Sequence, residues 1–358
     1  MVALLPLQRE VETKKVLRKA ALAHKALAEL KGVVTSIPNE QIVIETLTLR
    51  EARESSAIEN IISTFAEVYQ SSLFAEQFTT PEAKEVHLYA KALKKGFELV
   101  KKHGLLTNNY ILQIQAEVEQ NSAGFRTLPG TKLLNDATGT IVYVTPQDAT
   151  TILELMQNLE TFINDEGMMD ADALVKMAII HHQFESIHPF YDGNGRTGRI
   201  INILYLIQKQ LLDLPVLYMS RYIIRHKNEY YRLLQQVRDA NEWETWILYM
   251  LDAVEQTATE SIVLINNIKN LMQQYKQNLR NNLPKLYSQD LLNNLFKYPY
   301  TKIEYIEKDL GVSRNTAIRY LDALVKQKIV AKQKIGRDNY FINELLFNLL
   351  ADNSTSAP

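Results

Sequence analysis

Cysteine is absent from the 358 residues, which excludes disulfides and thiolate chemistry and fits a reducing compartment. Glycine and proline are scarce, at 12 and 10 residues, so a chain of long helices with few turns is expected. No apolar run approaches the roughly 20 residues of a membrane span. The first residues, Met1-Val-Ala-Leu-Leu-Pro-Leu, offer no basic leader and a short apolar run broken at Pro6, so no signal peptide is read there. Net charge is missing too: the formal value of -1 argues against wholesale polyanion binding and leaves room for a local basic patch. A cytoplasmic chain with no membrane association is expected. With 46% hydrophobic and 23% charged residues, it has the composition of an ordinary folded protein with space for two or three domains.

What is present is concentrated at His188-Pro-Phe-Tyr-Asp-Gly-Asn-Gly-Arg-Thr-Gly-Arg199. Gly193, Asn194 and Gly195 precede a run with the apolar spacing of a helix, so they are expected to open it. Free amides and the positive end of the helix dipole make such a start an anion site, and glycine lets an oxygen approach closely. Asp192 suits Mg²⁺, which takes carboxylate oxygens together with phosphate oxygens. Arg196 and Arg199 share the first turn and can clamp a polyphosphate. His188, expected to be extended because Pro189 follows it, has an ordinary pKa near the operating pH of a general base. These are parts of a nucleotidyl or phosphoryl transfer site. A lone Gly-Asn-Gly is usually a turn and a lone His-Pro a loop; the twelve residues together point further.

The string matches the Fic-family signature, His-x-Phe-x-(Asp/Glu)-Gly-Asn-Gly-Arg-x-x-Arg, and the preceding Ala178-Ile-Ile-His-His-Gln-Phe-Glu-Ser-Ile also resembles that family. The resemblance implies an all-α Fic fold that moves AMP from Mg·ATP onto a Ser, Thr or Tyr hydroxyl of a target protein. By position, His188 is then the base and Asp192 holds Mg²⁺. Gly193, Asn194 and Gly195 cradle the phosphates, and Arg196 and Arg199 neutralise the β and γ groups. The residues themselves point to phosphate and metal; the resemblance alone points to AMP.

A second segment, Ser55-Ser-Ala-Ile-Glu59-Asn60, lies at the end of an expected helix from Glu40. Ser55 and Glu59, four apart, share a helical face. The segment resembles the inhibitory motif (Ser/Thr)-x-x-x-Glu-(Gly/Asn) of Fic proteins that carry their inhibitor N-terminal to the core. That resemblance implies that Glu59 pairs with Arg199 and displaces the γ-phosphate contact. A carboxylate can compete with a phosphate for one guanidinium fork.

Other helices are expected at Val11 to Lys31, ended by Gly32; from Pro81, capped by Thr80, to Lys102; at Leu106 to Gln120; at Gln147 to Asn164; and at Ala171 to Ser186. Between them, Lys132 to Val144 reads as a hairpin turning around Asn135 to Gly139. By the resemblance it is a short β flap that docks the target backbone through Lys132, Leu133, Leu134, Val142, Tyr143 and Val144. Tyr230 and Tyr231 match the paired tyrosines of the family's adenine pocket. The family's frequent downstream Asn is Arg238 here, which could stack on adenine. Trp243 and Trp246 are assigned to the core. His181 and His182 do not form a metal site with His188, because adjacent helical residues diverge by about 100°.

The expected domains are an N-terminal helical region over 1–115, a catalytic core over 116–252, a connector helix over 253–284 and a small winged helix-turn-helix domain over 285–350. The last is read from Ile303 to Leu310, the turn Gly311-Val-Ser313, Asn315 to Gln327, and two strands about Gly-Arg-Asp338. Residues 285–344 hold 11 Lys/Arg and 7 Asp/Glu, so Arg314, Asn315, Thr316, Arg319, Lys332, Lys334 and Arg337 could meet DNA phosphates. The tail 352–358 is expected to be disordered. A homodimer is also expected. Three functions compete: an autoinhibited adenylyltransferase using ATP and Mg²⁺, an enzyme that removes AMP with Glu59 orienting water, and a DNA-binding regulator whose core senses a nucleotide.

Overall fold

The computed structural model describes residues 2–37, 39–73, 78, 80–134, 138–297, 299–335 and 338–351. Part of the expected hairpin turn, Arg337 and the tail 352–358 lie outside them.

The N-terminal helices are α1 (Lys14–Val34), α2 (Glu40–Ile58), α3 (Phe65–Leu73), α4 (Pro81–His103) and α5 (Asn108–Glu119). Their starts follow local chemistry. The side chains of Thr13, Asn39, Thr80 and Thr107 each accept a first-turn amide, which satisfies donors the helix cannot. Gly32 does not end α1 as expected; it lies inside the helix with open space around it. Gly104 does end α4, at φ +70°. Helix α3 was not anticipated, although Thr64 and Glu67 form a reciprocal capping box: the Glu67 carboxylate accepts from the Thr64 amide at 2.7 Å and Thr64 Oγ1 from the Glu67 amide at 3.2 Å.

Strands β1 (Lys132–Leu134) and β2 (Ile141–Val144) form an antiparallel pair whose register slips between Leu133 and Leu134. The centre of the chain is α6 (Ala149–Asn164), α7 (Ala173–Ile187) and α8 (Asn194–Gln208). In α7 every residue from Leu174 to Ile187 is buried, and α8 is buried on nearly all sides, as befits helices enclosed by others. α8 packs on α7, α4, α5 and α2. At Gly96 of α4 an added Cβ would come within 2.5 Å of Leu204 and 3.0 Å of Ile114, so glycine lets α4 approach α8 and α5.

Next come α9 (Ser220–Arg225), α10 (Lys227–Ala240) and α11 (Trp243–Asn282), forty residues long and so about 60 Å. Helix α11 packs along α1, then on α7, α9 and α10, with Trp243 and Trp246 in the core. Its far end meets α12 (Gln289–Lys297). There follow β3 (Tyr300–Thr301), α13 (Ile303–Leu310), α14 (Arg314–Lys326), β4 (Ala331–Ile335), β5 (Asp338–Ile342) and α15 (Glu344–Leu350). The three strands are ordered β3-β5-β4, all antiparallel. α13, the turn at Gly311, α14 capped by Ser313, and the β4-β5 pair stand in the expected order. Arg314, however, is paired with Glu304 at 3.1 Å and Glu307 at 3.5 Å, and Lys332 lies 3.9 Å from Asp322. No described helix is long and apolar enough to cross a membrane.

Replacing Gly96 with leucine is expected to lower stability by about 1–3 kcal/mol through overpacking. A urea titration reads this as a lower midpoint, and an unchanged midpoint would contradict the close α4–α8 approach.

Candidate active site

Helix α7 ends at His188, whose φ of 50° and ψ of 60° place it in the left-handed region. It is therefore a helix C-cap and not the extended residue expected from Pro189; its amide still bonds the Phe184 carbonyl at 2.9 Å. The turn is held by Arg126, a buried side chain from the segment before the hairpin. Its Nε donates to the His188 carbonyl at 2.8 Å, and another guanidinium nitrogen donates to Thr145 Oγ1 at 2.9 Å and to the Pro146 carbonyl. No local signal marks Arg126 in the sequence.

Burial, with the Arg126 and Arg238 cations nearby, lowers the His188 pKa to about 4. The ordinary value expected from sequence is therefore replaced by an imidazole that is neutral across the physiological range. Its Nδ1 is buried, and the Glu185 carbonyl nearby favours the charged form against that burial. His181 and His182 belong to the core: His181 Nε2 pairs with the Tyr230 hydroxyl at 2.8 Å, and His182 Nε2 with the Leu234 carbonyl at 3.2 Å. No group of three or more potential metal ligands occurs among the described residues.

Gly193, at φ +74°, caps α8 with no side-chain hydrogen bond to the first turn. That leaves the helix start open as an anion site. The helix begins at Asn194, so Asn194 and Gly195 are its first residues. The Asn194 side chain bonds Phe190 twice, accepting from its amide at 2.8 Å and donating to its carbonyl at 2.9 Å. It locks the loop, and its backbone is what it presents to the cradle.

The two arginines are 3% exposed and both bond Glu59. Arg199 donates to Glu59 Oε1 at 2.6 Å, to Ser55 Oγ at 2.7 Å and to the Ser55 carbonyl at 3.0 Å. Arg196 donates to Glu59 Oε2 at 3.0 Å, to Glu119 at 2.7 Å and to Glu85. Glu59, the C-cap of α2, thus bridges both guanidiniums. Burial pulls both arginine pKa values down, and the carboxylates, Glu59 foremost, more than offset it. Burial raises the Glu119 pKa, with Asp192, Glu85 and Glu59 adding repulsion against the pull of Arg196. Glu85 and Glu119 were not foreseen; each is one of many glutamates on an amphipathic helix.

The carboxylates reach the backbone at the start of α8. A Cβ on Gly195 would lie 2.6 Å from Glu59 Oε1, and one on Gly193 would lie 2.5 Å from Glu119 Oε1. One cavity of about 1340 Å³ is lined by His188, Asp192, Gly193, Asn194, Gly195, Arg196, Arg199, Tyr230, Tyr231, Arg238 and Glu59, and by Lys132, Leu133, Leu134 and Val142 of the β1–β2 pair. Tyr143 and Val144 do not line it. The Tyr143 hydroxyl bonds the Ser186 carbonyl at 3.1 Å and Val144 is exposed, while Ser55 lies behind Arg199. Tyr230 is buried and Tyr231 half exposed. Arg238 donates to Ser186 Oγ at 3.1 Å and to the Glu185 carbonyl at 3.2 Å, with its guanidinium 4.1 Å from the Tyr143 ring centre. Glu185, also lining the cavity, is pushed up to about 7 by burial.

Fold and site together define a helical domain that presents a neutral histidine, a carboxylate and an anion-receiving helix start to one cavity. Comparison with known families is specific. The Fic/DOC family model matches residues 105–206, the Fic/DOC family N-terminal model residues 17–98, and the model of the protein adenylyltransferase SoFic-like C-terminal domain residues 271–346. The chain belongs to the Fic/DOC family. It is 35% identical over 72 residues to the protein adenylyltransferase fic-1 of Caenorhabditis elegans, covering 19% of this chain and 14% of that protein. It is 37% identical over 81 residues to a probable protein adenylyltransferase of Aquifex aeolicus, covering 23% and 22%. Among solved structures, a Fic family protein from Desulfovibrio desulfuricans aligns over 94% of this chain and 98% of its own, with a TM-score of 0.60 and 18% identity. Fic-1 of C. elegans aligns over 70% and 73%, with a TM-score of 0.54 and 20% identity. These two likenesses concern the fold.

The lowered His188 pKa has a direct readout. In the histidine-labelled chain, the His188 ring resonance, assigned with His188→Gln, is expected to stay constant from pH 8 to pH 5.5 and to move only towards pH 4. An inflection near pH 6.5 would mean that the ring is solvated.

Proposed function

We propose that the chain is an autoinhibited protein adenylyltransferase, moving AMP from Mg·ATP to a hydroxyl side chain of a target protein. The observation that carries this reading is the bridge from Glu59 to both motif arginines, beside a neutral histidine and an uncapped helix start. Arg196, Arg199 and the amides after Gly193 would hold the phosphates, and Asp192 would hold Mg²⁺ against them. Mg²⁺ held there would neutralise charge on the phosphates. His188 accepts the proton of the attacking hydroxyl, the hydroxyl oxygen bonds the α-phosphorus, and the bond to the leaving pyrophosphate breaks.

The flap supports a peptide substrate. β1 and β2 form a sheet of two strands, so neither has a further strand partner among the described residues. Leu134, Ile141, Val142 and Val144 are exposed on it. An extended target segment could pair with such an edge through its backbone. The paired Arg314 and Lys332 weaken the DNA-binding reading of the C-terminal module, since a phosphate would first have to displace carboxylates from them.

Glu59 gives the reading a sign. Hydrogen bonds to charged groups contribute about 1.5–3 kcal/mol, so Glu59→Gly is expected to raise transfer of label from α-labelled ATP into lysate proteins by roughly ten- to a hundredfold. Adding His188→Ala should abolish it, losing about 10²–10⁴ in rate. Label arriving from γ-labelled ATP instead would mean phosphotransfer. If Glu59→Gly stays silent and loses an ability of the wild type to strip AMP from a modified protein, the reaction runs in the removing direction.

A further inference from the structure

Helix α2 reaches two places. Its end carries Ser55 and Glu59, and Thr48, about 17 Å back along the axis at 1.5 Å per residue, lines a second cavity. This cavity, about 400 Å³, lies where α2, α4, α12 and α13 meet, and it shares no residue with the cavity of the motif. Ile44, Leu49, Ala90 and Tyr305 give it an apolar wall, and Lys91, Lys94, Lys297 and Lys308 surround it. Two carboxylates, Glu45 and Asp309, also line it, and Asp309 accepts from Asn294 at 2.8 Å. Lys91 is held by Glu117 at 2.5 Å. Lys94 and Lys308 form no ion pair among the described residues.

Thr48 adds an independent sign. It is 6% exposed, and its hydroxyl has no hydrogen-bond partner. A helical threonine ordinarily donates to the carbonyl one turn back, and leaving a buried hydroxyl unmet is unfavourable. A turn about its Cα–Cβ bond exchanges its methyl and hydroxyl positions. Glu117 offsets Lys91, and Glu45 and Asp309 offset part of the charge of the other lysines; Lys94 and Lys308, without an ion pair among the described residues, are the groups an anion would meet. The volume falls within the range of small-molecule sites.

We propose that this junction cavity binds a small phosphate-bearing molecule with an apolar body, using the lysines as counter-charge. Its occupant touches α2 and α4 on one side and α12 and α13 on the other. It therefore favours the arrangement seen here, in which Glu59 lies on the arginines, and by linkage it lowers transfer activity. That consequence rests on the Glu59 reading above; the binding does not.

The test is calorimetric titration of the full chain with inorganic pyrophosphate and, separately, with ADP. Wild type is compared with the double variant Lys94→Glu/Lys308→Glu and with Thr48→Val. The motif arginines are intact in all three, so the difference between isotherms reads the junction alone. Wild type should show one pyrophosphate site more than the double variant, and Thr48→Val should weaken that site at least threefold. Tighter binding of ADP at this site would support the apolar body. Identical isotherms, with unliganded melting curves that show all three chains folded, would overturn the site. Product inhibition by pyrophosphate is common to all chains, so transfer by wild type should be inhibited at lower pyrophosphate concentrations than transfer by the double variant. Equal inhibition would overturn the link to α2. If no chain transfers AMP, the Glu59 reading fails on its own and the isotherms still decide the site.

Discussion

Two guanidinium groups with almost no exposure cannot be left without anions. Removing a cation from water costs several kcal/mol, and its attraction to a partner offsets this only when geometry and hydrogen bonds are good. Arg196 and Arg199 stand on the first two turns of α8, which is with α7 among the most enclosed of the described helices, and the surrounding structure supplies their charge. Glu59 comes from α2, Glu85 from α4 and Glu119 from α5. The convergence of three N-terminal helices on the start of α8 follows from that requirement as much as from apolar packing. It also gives the proposed inhibition a physical basis. Phosphate oxygens offer the same bidentate acceptors as a carboxylate, so a polyphosphate could take over the arginines when Glu59 leaves.

The rest of α2 is built to resist that departure. Glu51, fully enclosed, accepts from the Ser220 amide at 3.1 Å, the Ser220 hydroxyl at 2.5 Å and the Tyr89 hydroxyl at 3.0 Å. Burial raises its pKa, against the pull of these donors. It fastens α2 to the start of α9 two turns before Glu59. Arg50, on the same turn, lies 5.2 Å from the Tyr218 ring centre. Glu59 therefore stands at the end of an anchored helix.

The legible part of the site was the part contiguous in sequence. The twelve motif residues form a continuous turn and helix start, so their types and order announced an anion site, and Ser55 with Glu59 could be read because four-residue spacing fixes a shared face. The helix start capped by Thr80 was readable from the same local chemistry, whereas the starts capped by Thr13, Asp148 and Asp172 lie two or three residues after the expected ones, and the Thr64–Glu67 box shows that α3 was readable too. What was not legible came from across the fold. Glu85 and Glu119 matter because their helices pack beside α8, and nothing in their own segments differs from a solvated glutamate. Arg126 holds the His188 turn through carbonyls about sixty residues away. The His188 pKa depends on burial and on Arg126 and Arg238 together, and the left-handed cap overrode the usual effect of a following proline because the turn is fixed from outside.

Arg238 shows how a departure from the family pattern can be absorbed. Where the family often has asparagine facing the base, this chain has a longer, always charged side chain. Its donors are committed to Ser186 Oγ and the Glu185 carbonyl, and its face to the Tyr143 ring. Tyr143 belongs to β2, and its hydroxyl bonds the Ser186 carbonyl. One arginine thus joins the flap, the last turn of α7 before His188, and α10. A residue so placed makes the distance between the flap edge and the histidine a property of packed side chains and not of a free loop. That is the constraint the proposed docking would require, since a target held only through β-pairing would bring no side-chain contacts of its own to set its depth in the cavity.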